Sequence, residues 1–195
     1  MTELNDNYWS NRYLQNQTGW DMKQPSPPLV EYINNISNKQ TSILIPGCGN
    51  AYEAEYLLQH GFTNVTLIDI SKTLVDSLKE KFNGKSIRII HDDFFNHFEK
   101  YDLMIEQTFF CAIDPQLRNE YAKHAASILK AGGKIAGVLF NKTFEQEGPP
   151  FGGNKTEYEN LFQPYFTIEK MEPCNNSILP RAGTELFFEL IKRDV

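Results

Sequence analysis

Two glycines separated by one residue close an apolar run in the stretch SILIPGCGNAYE (residues 42–53). A helical pattern follows at once. Gly47 and Gly49 can adopt backbone angles closed to other residues, and they let a ligand approach the main chain. The helix that follows would aim its free N–H groups at the same point. Asp69 lies about 20 residues further on, at the end of the next apolar run. In nucleotide-binding turns of this type that is the place of the carboxylate that accepts from ribose hydroxyls. The chemistry suggested is binding of a nucleoside, with Asp69 on the ribose.

The turn is not the dinucleotide fingerprint. G-C-G-N-A-Y has Tyr52 where G-x-G-x-x-G carries its third glycine, which allows close packing over a pyrophosphate. A nucleoside without phosphates fits better, and S-adenosylmethionine is such a molecule. An oxidoreductase using NAD is the alternative from another class. A cofactor-binding protein without catalysis is a third reading.

The elements that would position these residues alternate. SILIP, NVTLIDI, SIRII, YDLMIEQ and KIAGVLF read as strands. Between them, AYEAEYLLQHG, the segment after Ser71 with Leu74, Leu78 and Phe82, and PQLRNEYAKHAASILKAGG read as helices. Ser71 can cap its helix, and Pro115 can open the last one without losing a hydrogen bond. Strands that are apolar throughout imply a parallel sheet covered on both faces. After strand five the rhythm changes. KTFEQEGPPFGGN is a loop, TEYENLF a short helix, and FTIEKMEP and TELFFELIKR a closing antiparallel pair. The expected fold is α/β: a doubly wound, Rossmann-like, seven-stranded, mostly parallel sheet with a C-terminal antiparallel hairpin. A single domain over residues 1–195 is expected. Its first 28 residues form a polar segment interleaved with Trp9, Tyr13 and Trp20.

The remaining composition narrows the classes. The net charge is −6 and no long basic patch occurs, which argues against nucleic-acid partners. No apolar run reaches the roughly 20 residues of a membrane helix. The polar N-terminus does not read as a secretory signal. Three cysteines (Cys48, Cys111, Cys174) without close pairing suggest reduced thiols and a cytoplasmic protein. The histidines are scattered and no Cys/His pair has zinc-ligand spacing, so no metal is expected. His91 and His97 read as solvent-facing, Cys111 as a packing residue. A monomer is the default for such a chain.

With these motifs in view, the chain resembles the thiopurine S-methyltransferase family of class I S-adenosylmethionine-dependent methyltransferases. That family includes halide and thiol methyltransferases. The resemblance runs nearly end to end, through YWSNRYLQNQTGWD, PGCG, LIDIS, DDFF, EQTFFCAIDPQLRNEYA, LKAGG, GPPF and SILPRAGTE. It implies that Trp9, Tyr13 and Trp20 form an aromatic lid over the cofactor and that Gly47 touches its methionine part. It implies that Asp69 holds the ribose, that Asp93 and Phe94 flank the adenine, and that Gln107 lies near the methyl group. Arg118 is implied close to cofactor and substrate. Two positions depart from the pattern: Tyr13 where relatives often carry Trp, and Gln107 where some carry an aromatic or basic residue.

The expected reaction is methyl transfer to a small acceptor, a thiol or thiopurine-like sulfur. Thiocyanate or halide is the alternative within the family. Aromatic faces favour a sulfonium by roughly 0.5–2 kcal/mol. A soft nucleophile needs alignment more than a base. Arg118 is assigned the catalytic part, holding an anionic acceptor or stabilising a thiolate. Phe109, with Phe110, would strip water from the acceptor, and the GPPF loop (148–151) would wall it. With little reason to pack, the N-terminal segment is expected to be mobile without cofactor.

Overall fold

A computed structural model describes residues 3–193. These residues contain seven strands: β1 (Ile43–Pro46), β2 (Val65–Asp69), β3 (Ile87–His91), β4 (Tyr101–Gln107), β5 (Leu129–Phe140), β6 (Phe166–Pro173) and β7 (Glu185–Lys192). They form one sheet in the order β3-β2-β1-β4-β5-β7-β6. Strands β1 to β5 pair in parallel, and β7 runs antiparallel between β5 and β6. Strand order reverses between β1 and β4. A ligand crevice therefore opens beyond the C-terminal ends of these two strands.

The described residues form six α-helices, α1 (Asp6–Leu14), α2 (Pro27–Asn34), α3 (Tyr52–Gln59), α4 (Lys72–Lys81), α5 (Arg118–Ser127) and α6 (Lys155–Phe162). Successive side chains of a strand point to opposite faces. Ile43, Ile45, Leu103 and Ile105 accordingly pack with Leu29 and Ile33 of α2, Ala54 and Leu57 of α3, and Leu74 and Leu78 of α4. Leu44, Met104 and Ile135 pack on the other side with Tyr121 and Ala125 of α5 and Tyr158 and Phe162 of α6. Helices cover both faces, so every residue of β1 and β2 is buried. Ser71 caps α4, accepting from the Leu74 N–H at 3.2 Å.

The fifth helix departs from its expected length. It spans Arg118–Ser127 rather than the whole of 115–133, after a single 3-10 turn at Pro115–Leu117. The apolar pattern there serves two elements. Ile128 and Leu129 are fully buried, but Leu129 already pairs with Tyr101 in the sheet. The register then jumps to Leu103 opposite Lys134. LKAGG is thus the opening of β5, not the end of a helix. In this helix Arg118 is buried, whereas Leu117 just before it is 38% exposed.

The N-terminal segment is not left unpacked either. The Lys72 N–H donates to Asp6 Oδ1 at 2.9 Å, and the Ser10 and Ser71 hydroxyls lie 3.0 Å apart. These bonds seat α1 on the N-terminus of α4, with Asp6 also 3.5 Å from His91. The expectation that this segment lacks reasons to pack is corrected by polar contacts across some 60 residues of sequence. His97 is buried, its Nε2 2.9 Å from the Tyr101 hydroxyl, and not solvent-facing.

Candidate active site

A cavity of about 900 Å³ opens at the switch point between β1 and β4. Its floor is the turn after β1. Gly47, Gly49 and Ala51 have φ of +52°, +51° and +57°, and the Gly47 N–H donates to the Ile68 carbonyl at 2.8 Å. Three left-handed residues in five curl the chain away from the strand before α3 begins. Tyr52 opens α3, in the place of the third fingerprint glycine.

Asp69 ends β2 against this turn. It is 8% exposed, and its Oδ1 accepts from the Ser71 N–H at 2.9 Å. Burial raises its carboxyl from 3.8 to about 6, while the Ser71 and Gly49 N–H groups pull the other way. Asp93 caps a short 3-10 turn at Phe94–Asn96, accepting from the Phe95 N–H at 3.0 Å. Phe94 is mostly buried and packs edge-on against Phe109, centroids 5.2 Å apart.

The chain leaves β4 through a sharp turn, with Thr108 at φ +61°. Glu106, fully buried, organises it. Its Oε1 accepts from the Phe109 and Phe110 N–H groups at 2.9 and 3.0 Å, and its Oε2 from the Tyr121 hydroxyl at 3.0 Å. Burial raises this carboxyl to about 7 against those donors. The turn delivers Phe109 onto Gly47. The Cys111 thiol, pushed up to about 12 by burial, donates to the Thr108 carbonyl and serves packing.

An aromatic wall faces this floor. Trp20 stands between Trp9 and Tyr13, edge-on to both, with centroids 5.5 and 5.8 Å away. The loop carrying Trp20 is held from two sides. Asp21 Oδ2 accepts from Asn50 Nδ2 at 2.9 Å, and the Trp20 carbonyl accepts from Arg181 Nη2 at 2.8 Å. Arg181 in turn pairs with Glu185 at 3.2 Å.

Trp9, Tyr13, Trp20, Gly47, Asp69, Asp93, Phe94, Gln107 and Phe109 all line this one cavity. Arg118 does not. Its guanidinium is turned into the α5–α6 interface, 2.9 Å from Glu157 Oε1. Arg181, which does line the cavity, escaped sequence reasoning. It sits within SILPRAGTE, in a loop whose local pattern says nothing about the side chain's direction.

The lining suits S-adenosylmethionine. Acidic residues (Asp21, Asp69, Asp92, Asp93) surround the turn end, where hydroxyl and amino donors need acceptors. Gln107 Oε1 is buried without a partner, a further acceptor. The aromatic wall offers faces to a cation. Among the described residues no group of His, Cys, Asp and Glu could hold a metal ion, and no helix is long and apolar enough to cross a membrane.

Comparisons with known proteins agree. The model of the thiopurine S-methyltransferase family matches residues 4–188. The chain is 31% identical over 193 residues to "Probable thiol methyltransferase 2" of Arabidopsis thaliana, covering 95% of this chain and 84% of that one. It is 27% identical over 184 residues to thiocyanate methyltransferase 1 of Brassica oleracea, covering 91% and 81%. Among solved structures, its fold matches the 1,6-didemethyltoxoflavin-N1-methyltransferase of Burkholderia thailandensis with bound S-adenosylhomocysteine. The TM-score is 0.74 at 16% identity, covering 97% of this chain and 87% of that one. The chain belongs to the thiopurine S-methyltransferase family and is an S-adenosylmethionine-dependent methyltransferase.

Proposed function

We propose that the protein methylates the sulfur of a small, largely apolar thiol. The observation that carries this reading is the far end of the cavity. Phe109, Ile113, Phe140, Phe144, Pro149 and Pro150 give it apolar surface, Lys142 and Arg181 lie over Phe144 and Phe140, and among the described residues no histidine lines it. The nearby carboxylates are committed: Glu106 to three donors, and Asp114 to the Gln116 N–H at 2.8 Å. A wall with no histidine, and with these carboxylates committed, suits a nucleophile that ionises by itself. An ordinary thiol does so near ~8.5, and aryl thiols lower, whereas alcohols and amines would need help.

When bound, S-adenosylmethionine supplies a methyl group on a cationic sulfur with a neutral leaving group. Asp69 accepts from the ribose hydroxyls, and Asp93 and Phe94 flank the base. Gln107 offers its unpartnered oxygen to the amino-acid part. Trp9, Tyr13 and Trp20 face the positive charge. Phe109 and the two prolines exclude water from the acceptor. Orientation of this kind can supply several kcal/mol.

The names of the relatives support a sulfur acceptor: one is a thiol methyltransferase, another acts on thiocyanate by its name. Thiocyanate or halide is the second reading, since an anion that needs no deprotonation suits the same apolar wall. The three free cysteines support a reducing, cytoplasmic setting.

The test is an acceptor screen that reads S-adenosylhomocysteine formation with aryl thiols, alkyl thiols, thiocyanate, halides, phenols and amines. Thiols should give the highest kcat/KM, rising with pH until the acceptor is ionised. Turnover of phenols or amines in preference to all thiols overturns the proposal. Preference for thiocyanate or iodide selects the second reading.

A further inference from the structure

We infer that Arg118 is a positioning residue for the acceptor: it clamps the loop whose prolines wall the cavity, and acts without touching the reacting atoms. This rests on the methyl-transfer reading above.

Arg118 opens α5 and is 6% exposed. Its Nη1 meets Glu157 Oε1 of α6 at 2.9 Å. Its Nη2 donates to the Gly152 carbonyl at 2.9 Å and leans on the Phe151 carbonyl at 3.4 Å. The guanidinium lies over the Phe110 ring, 4.7 Å from its centroid. Nε is buried, has no partner, and takes no part in the clamp. The fork of one side chain thus joins three segments: the start of α5, the first turn of α6 and the 148–153 loop.

That loop needs outside support. Pro149 and Pro150, the two residues that line the cavity, have no N–H to donate. The next three residues fix their position. The Phe151 N–H donates to the Cys111 carbonyl at 2.7 Å, the Gly153 N–H to the Lys142 carbonyl at 3.0 Å, and Arg118 takes the Gly152 carbonyl. The backbone runs so close there that a Cβ on Gly152 would lie 1.9 Å from the Lys142 oxygen. Two side chains join this set: Arg118, and Gln146, whose Nε2 donates to the Pro150 carbonyl at the longer distance of 3.5 Å. Arg118 and the two residues whose carbonyls it meets, Phe151 and Gly152, do not themselves line the cavity.

The experiment compares Arg118→Lys and Glu157→Gln with the wild type, as full chains. Lysine keeps the charge and loses the fork. Glutamine keeps the size and loses the ion pair, at a residue that does not line the cavity. The readouts are the calorimetric Kd for S-adenosylhomocysteine, kcat and KM for aryl thiols of increasing bulk, and limited proteolysis of the 148–153 loop. For Arg118→Lys we expect the cofactor Kd to stay within about twofold, the acceptor KM to rise about tenfold, and the preference among thiols to shift toward bulkier ones. Glu157→Gln should move in the same direction by less. Loss of cofactor affinity in Arg118→Lys overturns the inference in favour of direct cofactor contact. A neutral Glu157→Gln, with losses in Arg118→Lys confined to anionic acceptors, overturns it in favour of direct acceptor contact. If the wild type turns over no thiol at all, the functional reading fails. The clamp is then decided by proteolysis alone: faster cleavage of the loop in both variants supports it, unchanged cleavage rejects it.

Discussion

The ring of Phe109 lies against the Cα of Gly47: a Cβ built there would stand 2.3 Å from Phe109 Cδ2. The turn after β1 and the turn after β4 therefore fit each other only because one of them carries no side chain. Gly47→Ala must displace the ring and hold alanine at φ +52°. We expect a destabilisation of about 1–3 kcal/mol and weaker binding of S-adenosylhomocysteine. Gly47→Ala/Phe109→Ala removes the ring atoms that crowd the new Cβ at 2.3 and 2.8 Å and leaves only the Cβ of residue 109 at 2.9 Å, so the two costs should be less than additive in thermal unfolding.

Asp69 sets a pH dependence with two opposite signs. Its folded carboxyl titrates at about 6 against 3.8 in the open chain. Because the folded value is raised, its contribution to the stability of the empty protein is greatest below 3.8 and is lost as pH rises through about 6. Ribose hydroxyls donate to the ionised form, so cofactor binding runs the other way. Affinity for S-adenosylhomocysteine should be flat above about pH 6 and fall about tenfold per pH unit just below it. Calorimetry on Asp69→Asn should show weak binding without that slope. An unchanged slope in the variant would assign it to another group.

Glu106 is expected to make the fold itself pH-sensitive. Its carboxyl is raised from 4.5 to about 7 by burial. Its contribution is therefore present below 4.5 and lost between 4.5 and about 7. Glu106→Gln keeps an oxygen for the Phe109 and Phe110 N–H groups and should flatten this part of the stability–pH profile. Glu106→Ala strands those two donors, each costing about 1–3 kcal/mol when buried and unpaired. Denaturant unfolding across roughly pH 4–8 distinguishes the two.

The aromatic wall predicts discrimination by charge. Trp9→Leu and Trp20→Leu should weaken S-adenosylmethionine by about 0.5–2 kcal/mol, or roughly 2- to 30-fold. The neutral S-adenosylhomocysteine should lose less. Equal losses for the two ligands in competition calorimetry would reduce these rings to plain packing.

The strand runs and the helices between them were legible because their signals are local. Apolar period, a capping Ser71, glycines after Pro46 and an acid at the end of β2 can each be read within a few residues. Motifs from YWSNRY to SILPRAGTE carried the family. Other decisions depend on partners distant in sequence, and only the tertiary structure made them. The end of α5 at Ser127 is one, because a buried helix and a buried strand both accept Ile128 and Leu129. The seating of α1 is another, since Asp6 and Ser10 find their partners at Lys72 and Ser71. The same holds for the arginines. Arg118 and Arg181 look alike in sequence, but the first is drawn into the α5–α6 interface by Glu157 and the Gly152 carbonyl. The second is drawn to the cavity by Glu185 and the Trp20 carbonyl. A long, flexible cation follows its nearest acceptors, and those are fixed by packing rather than by neighbours in the chain.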